Sequence, residues 1–191
     1  MEWFSLEHGR TAYRADFVLY AGLVITLVIV LIVNGPRLRL PEFGALALTG
    51  LVGWSLIEYL LHRFVLHGLP PFRGWHAEHH RRPQALLGVP TVLSAPLIAA
   101  FVYLPALLLS DAWSAGALSL GVLAGYLAYS VTHHATHHWH GGNAWLKRRK
   151  RWHALHHHAG SAGRYGVSTV FWDHVFHSDE SKPPPVPDAG A

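Results

Sequence analysis

Apolar residues gather into four long blocks, Phe17–Val33, Phe43–Leu61, Val89–Leu109 and Trp113–Val131. The first, third and fourth contain no charged residue, and the second contains only Glu58 near its end. A bilayer core of about 30 Å needs roughly 17–25 helical residues, so each block is predicted to be a membrane-spanning helix. The third carries Pro90, Pro96 and Pro105. The third and fourth are joined only by Ser110-Asp111-Ala112, which predicts a tight helical hairpin. Glu2, Glu7 and Asp16 dilute any basic leader, and no small-x-small site follows Val33, so the first block reads as a retained span rather than a signal peptide. The last residues, SKPPPVPDAGA over 181–191, are Pro-rich and predict a disordered tail behind one membrane domain over 1–180. The expected fold class is an all-α integral membrane protein with four transmembrane helices and a histidine-rich helical cap.

Composition supports that reading. Of 191 residues 51% are hydrophobic and only 14% charged, well below the roughly 25% of soluble domains. With no cysteine, disulfides and thiolate metal sites are excluded. A net charge of +4 alone would suit a nucleic acid or an anionic membrane face; the hydrophobic content decides for membrane, with no nucleic-acid partner. If the N-terminus is cytoplasmic, 13 of the 15 lysines and arginines lie inside, and only Arg37 and Arg39 lie outside. Every histidine except His8 then falls at or beyond the cytoplasmic exits of the second and fourth spans, which puts the cap on that face.

Histidine is the unusual residue, at 17 copies. His76, His79 and His80 stand at i, i+3, i+4, and so do His153, His156 and His157. On an α-helix these positions share a face, so each HxxHH triplet is expected to present three rings in one direction. His133 and His137 form one i, i+4 pair, and His134 and His138 another. The two registers point about 100° apart and cannot serve equally, and spacing alone leaves the choice open. His62 and His67 are five apart, about 500° of helix rotation. Gly68 and Pro70-Pro71 follow, which predicts that the second span frays near His67 and lets that ring turn inward. Neutral imidazole is the commonest metal ligand. The rings at ligand spacing exceed the four or so of one site and match two metals of about five ligands each. A flexible metal-buffering loop would lack this helical spacing. Glu58, an acid within a span, is a candidate partner that orients a ring. His8 and His177 read as interfacial. Lys147–Arg151 reads as a headgroup-facing patch, and Trp3, Trp75, Trp113, Trp139 and Trp145 fit interfacial belts.

Four segments in order, EYLLHRFVLH (58–67), WHAEHH (75–80), YSVTHHATHH (129–138) and WHALHHH (152–158), followed by GRYGVSTVFWDHVFHS (163–178), resemble the fatty acid hydroxylase superfamily, which includes fatty acid 2-hydroxylases, sterol desaturases and carotenoid hydroxylases. The ending is most similar to that of fatty acid 2-hydroxylases. The resemblance implies two iron ions, replaceable by zinc in purified samples, held by His62, His67, His76, His79, His80, His133, His137, His153, His156 and His157. It implies no catalytic side chain beyond the metal centre. It places His138 and Asp173 beside Glu58 as candidates that support the ligands; Asp173 has an alternative reading as a helix N-cap. His134 has no assigned role, and Gly163 and Gly166 are expected to shape a turn beneath the site. The implied reaction uses O2 and two electrons to hydroxylate a lipid acyl chain, with the 2-position of a fatty acid as the leading expectation. Trp54, Tyr59, Phe64 and Tyr126 are expected to line its channel. With no room for a fused cytochrome b5 domain before Phe17, a separate electron carrier is expected, cytochrome b5-like or ferredoxin-like, for which Lys147–Arg151 offers a dock. The alternatives are a carotenoid or sterol hydroxylase or desaturase of the same superfamily, and a non-catalytic metal-binding membrane protein. The latter would need more ionisable residues within the spans to pass an ion.

Overall fold

The computed structural model describes residues 7–158 and 163–179. The expected tail over 181–191 lies outside the described residues. Among them the regular structure is helical, with one isolated bridge between Glu7 and Leu87. The helices are α1 (Arg10–Val33), α2 (Leu40–Leu60), α3 (Phe72–Arg81), α4 (Thr91–Ile98), α5 (Leu104–Leu109), α6 (Ala112–His138), α7 (Ala144–His156) and α8 (Phe171–Val175). A π-helical turn, Leu61–Leu66, continues α2, and another, Ala99–Tyr103, joins α4 to α5. Four helical stretches are long and apolar enough to cross a membrane: Arg10–Val33, Arg37–Leu66, Thr91–Leu109 and Ala112–His138. Only 11% of the apolar window of the first is buried within the protein, against 50% for the last. The first is thus left largely uncovered by the rest of the protein and the last is half covered.

The chain divides into two compact units, Met1–Ser55 with Ala85–Ser130, and Leu56–Gln84 with Val131–Ala191. In the first, Leu31, Phe43 and Ala117 form a buried cluster, with Leu46, Trp113 and Leu120 packed on it. Small residues let α2 and α6 approach closely. A Cβ on Gly121 would collide with the Ala47 carbonyl, and one on Gly50 with that of Leu118. Lipid tails are as apolar as leucine, so such contacts supply the packing that burial supplies in water. Polar groups are paired locally. Tyr20 donates to Ser94 Oγ at 2.7 Å, and Asp16 caps α4 by accepting from the Thr91 amide and hydroxyl at 3.1 and 2.7 Å. Arg39 joins Glu42, Asp111 and Ser114 in one network, with Asp111 at 2.8 Å. That network holds the Asp111 carboxyl down at about 2.

Several side chains depart from expectation. His8 is not simply interfacial: its ring lies 3.3 Å from Asp16. Tyr59 does not line a channel. It is fully buried in the second unit, stacked on Phe176 at 5.3 Å and hydrogen-bonded to Ser178 Oγ at 2.8 Å. Phe64 is 54% exposed. Of the basic run, Arg149 is buried and Lys150 donates to the Trp139 and Gly141 carbonyls. Only Lys147, Arg148 and Arg151 stay exposed, because a 3.6-residue period cannot keep five successive side chains on one face.

Candidate metal centre

All the site residues fall in the second unit, Leu56–Gln84 and Val131–Ala191. The π-helical turn after α2 solves the five-residue spacing. The His67 amide donates to the His62 carbonyl at 3.2 Å, an i→i+5 bond. Such a turn brings residues five apart to nearly one azimuth, so the His62 and His67 rings sit 5.1 Å apart. Widening of the helix, not fraying, turns His67 inward.

The ten expected histidines form two groups of five. The first is His62, His67, His76, His80 and His156; the second is His79, His133, His137, His153 and His157. In each, one ring nitrogen per residue lies within 4.8 Å of all the others. Each HxxHH triplet is divided rather than shared. From α3, His76 and His80 join the first group and His79 the second. From α7 and its C-cap, His153 and His157 join the second and His156 the first. Positions i+3 and i+4 diverge by about 100° on a helix, enough for one helix to straddle two sites. The His79 and His80 rings stand at 89° to each other, and those of His156 and His157 at 78°. His80 stacks on His157 at 4.1 Å, joining the groups. The α6 register is His133 and His137. His134 and His138 stack on each other at 4.6 Å and belong to neither group.

The donor chemistry fits a cation in each group. His62 Nδ1 meets the Tyr165 carbonyl, and His156 Nδ1 meets that of Gly163 at 2.8 Å. A carbonyl only accepts, so both rings carry their proton on Nδ1 and aim an Nε2 lone pair inward. Those Nε2 atoms approach further Nε2 atoms, His62 to His76 at 3.0 Å and His156 to His67 at 3.1 Å. His80 Nε2 lies 3.0 Å from the same His76 atom, and one N–H cannot satisfy so many converging lone pairs. In the second group His133 meets His79 at 3.1 Å and His153 meets His137 at 2.8 Å. Both ring nitrogens of His157 are buried without a hydrogen-bond partner among the described residues. An all-imidazole set suits zinc or first-row ions such as iron, and not calcium or magnesium, which take oxygen. Burial, then neighbouring rings, push His67 and His79 down to about 3, His80 to about 4 and His157 to about 2. His76, His153 and His156 are lowered too, burial again leading. All these rings are therefore neutral, the ligating form, at neutral pH.

The two acids do not touch the rings in the way the sequence suggested. Glu58, 3% exposed, accepts from the Val167 and Ser168 amides at 2.8 and 2.9 Å and from the Ser168 hydroxyl. Asp173 is not an N-cap; it lies within α8, whose cap is Val170. Fully buried, it accepts from the Tyr165 and Gly166 amides at 2.8 and 2.9 Å, from Ser178 Oγ at 2.8 Å and from Trp152 Nε1 at 3.3 Å. Both acids thus hold the amides of 165–168; the Tyr165 carbonyl in that run meets His62, and the Gly163 carbonyl just before it meets His156. Gly163 has a φ of 133°, open to glycine alone without strain. Sequence reasoning missed Tyr165, Ser168, Trp152 and Ser178. Ser178 could have been found, standing i+5 from Asp173 within the FWDHVFHS string.

A family model for fatty acid hydroxylase matches residues 47–178. The fatty acid 2-hydroxylase of Macaca fascicularis is 35% identical over 149 residues, 71% of this chain and 40% of that protein. The dihydroceramide fatty acyl 2-hydroxylase FAH2 of Arabidopsis thaliana is 32% identical over 150 residues, 73% of this chain and 62% of that protein. The solved structure of full-length scs7p, in which only the hydroxylase domain is visible, superposes with a TM-score of 0.74 at 28% identity, covering 92% of this chain and 69% of that one. The chain spans only 40% of the length of the mammalian relative. With the family match running across most of its length and through both histidine groups, the chain belongs to the fatty acid hydroxylase family.

Proposed function

We propose that this chain is a membrane oxygenase that uses two iron ions and O2 to hydroxylate a lipid acyl chain at its 2-position. The observation that carries the reading is the convergence of ten imidazoles into two five-nitrogen groups. His62, His67, His76, His80 and His156 would hold one ion, and His79, His133, His137, His153 and His157 the other. Bound iron would supply the redox capacity for O2 to insert one oxygen atom into an unactivated C–H bond. The balance is R–H plus O2, two electrons and two protons giving R–OH and water. The electrons come from a separate carrier, cytochrome b5-like or ferredoxin-like. Lys147, Arg148 and Arg151 give an acidic carrier a basic face.

The chain's own residues do the positioning. Burial keeps the imidazoles neutral. The Gly163 and Tyr165 carbonyls fix the tautomers of His156 and His62, so that their Nε2 lone pairs face the ion. Holding ten rings on three helices and one π turn leaves little reorganisation when the reaction begins. We further infer, from the 13-to-2 distribution of basic residues, that the histidines lie at the cytoplasmic face; and, with four apolar stretches and the histidine segments following one another along the chain, we infer one membrane domain over residues 1–180.

The test is expression in a host supplied with labelled palmitate under 18O2, followed by lipid analysis. One 18O atom should appear on C2 of acyl chains, and His156→Ala should abolish it. Hydroxylated carotenoids or sterols in place of 2-hydroxy acyl chains would move the reading to the neighbouring activities. No oxygen-dependent lipid product at all would overturn it.

A further inference from the structure

Two acids are buried in the second unit without touching a histidine ring, and the mechanism gives them no chemistry. Their contacts share one target, the backbone of residues 165–168. Asp173 takes the amides of Tyr165 and Gly166, and Glu58 those of Val167 and Ser168. Four consecutive amides are thus held by two carboxylates. The Tyr165 carbonyl, in the peptide whose Gly166 N–H Asp173 holds, meets His62. The Gly163 carbonyl, just before this run, meets His156; its peptide N–H, that of Arg164, donates to the carbonyl of Ser178, whose hydroxyl donates to Asp173. Both rings belong to the first histidine group. The second group takes its rings from α3, α6 and α7 with its C-cap, where helix geometry already fixes the directions.

We propose that Glu58 and Asp173 are positioning residues for only one of the two metal sites, that of His62, His67, His76, His80 and His156, acting through the carbonyls of Gly163 and Tyr165. This rests on the metal-centre reading above. The acids organise amides; the amides set the direction of the carbonyls; the carbonyls fix tautomer and ring angle. Outer partners of this kind change metal affinity by roughly ten- to a hundredfold.

The chemistry of each acid's contacts separates their variants. Three of the four donors to Asp173 are obligate: the Tyr165 amide, the Gly166 amide and the Trp152 indole N–H. Whichever way the amide of Asp173→Asn is turned, its NH2 faces at least one backbone N–H. The brace therefore breaks in Asp173→Asn although the shape is kept. Glu58 differs. One oxygen takes both amides, and among the described residues the other meets only the Ser168 hydroxyl, which can accept as well as donate. Glu58→Gln can keep every contact by aiming its oxygen at the amides and its NH2 at the hydroxyl. Glu58→Ala cannot.

The experiment uses the full chain in detergent micelles, stripped with a chelator and titrated with Co2+. Metal content per chain and the visible Co2+ absorption are read after removal of loosely bound ion. Wild type and Glu58→Gln should hold two ions. Asp173→Asn and Glu58→Ala should each hold one tightly and lose the other ten- to a hundredfold more readily, with the absorption per chain roughly halved. Should Asp173→Asn fail to fold, the Glu58→Gln and Glu58→Ala pair decides alone. Two ions held at wild-type affinity in both disrupted variants, or both ions lost together, overturns the proposal. A wild type that takes up no metal overturns the metal-centre reading itself, a distinguishable result.

Discussion

His157 gives the sharpest test that these rings are arranged for a metal and not for one another. Its two ring nitrogens are buried with no hydrogen-bond partner among the described residues, and its ring stacks on His80 and meets His153 edge-on. In the metal-free protein each unsatisfied nitrogen costs about 1–3 kcal/mol. His157→Ala relieves both penalties and loses the ring's packing, about 2 kcal/mol at the low end of large-to-small changes. The two penalties together, about 2–6 kcal/mol, match or exceed the packing lost, so the metal-free variant should be as stable as wild type or more stable. With metal the sign reverses. Losing one of five donors should weaken that site at least tenfold to a hundredfold, which is about 1.4–2.8 kcal/mol. Thermal unfolding in micelles, with and without a fixed excess of Zn2+, reads both numbers, because bound metal raises stability by RT ln(1 + [L]/Kd). The gap between the two melts should be narrower in the variant than in wild type. If His157→Ala lowers both melts equally and leaves the gap unchanged, His157 is a packing residue and the reasoning fails.

Other outcomes follow from the same geometry. His133→Ala should cost the chain a tightly bound metal by elemental analysis, whereas His134→Ala, outside both groups, should retain two. The metal-free protein should be most stable above pH 6.5 and lose stability as pH falls. The unfolded rings gain protons near 6.5, while His67, His79, His80 and His157 stay neutral in the fold until about 2 to 4; denaturation at stepped pH between 7.5 and 4.5 measures the slope, and a flat profile would contradict it. Gly121→Ala should destabilise by about 1–3 kcal/mol, since its methyl would strike the Ala47 carbonyl and lie 2.7 Å from the Leu51 amide. The surviving folded protein should still bind two metals, which separates helix packing from the site.

The sequence displayed its helices and ligands more clearly than its fine geometry. Hydropathy located the four long apolar helices because a bilayer imposes a length that few other structures need. Histidine spacing marked the two HxxHH triplets, since i, i+3 and i+4 repeats survive any reasonable α-helix, while the choice of His133 and His137 over His134 and His138 came from the family resemblance. The division of each triplet between two groups was not legible. It depends on how far α3 and α7 are rotated, and rotation is set by tertiary packing. The widened turn at His62–His67 was also hidden, because an i→i+5 step has no sequence signature of its own. Glu58 stood out as an acid within a span and Asp173 through the family resemblance, yet the immediate partners of His156 and His62 are backbone carbonyls at 163 and 165, and every residue has a carbonyl. The basic run at 147–151 looked uniform in one dimension and is divided between interior and surface by helical periodicity.

The crossed allocation of rings from α3 and α7 has a consequence for how the protein can vary. Inserting or deleting one residue between His76 and His80, or between His153 and His157, would swing the following rings by about 100° and spoil both nests in a single event. Neither nest can be tuned alone by sliding a helix, because the same cylinder serves its neighbour. A one-residue length change is therefore expected to be tolerated in connections such as 139–143 and not within either short histidine string.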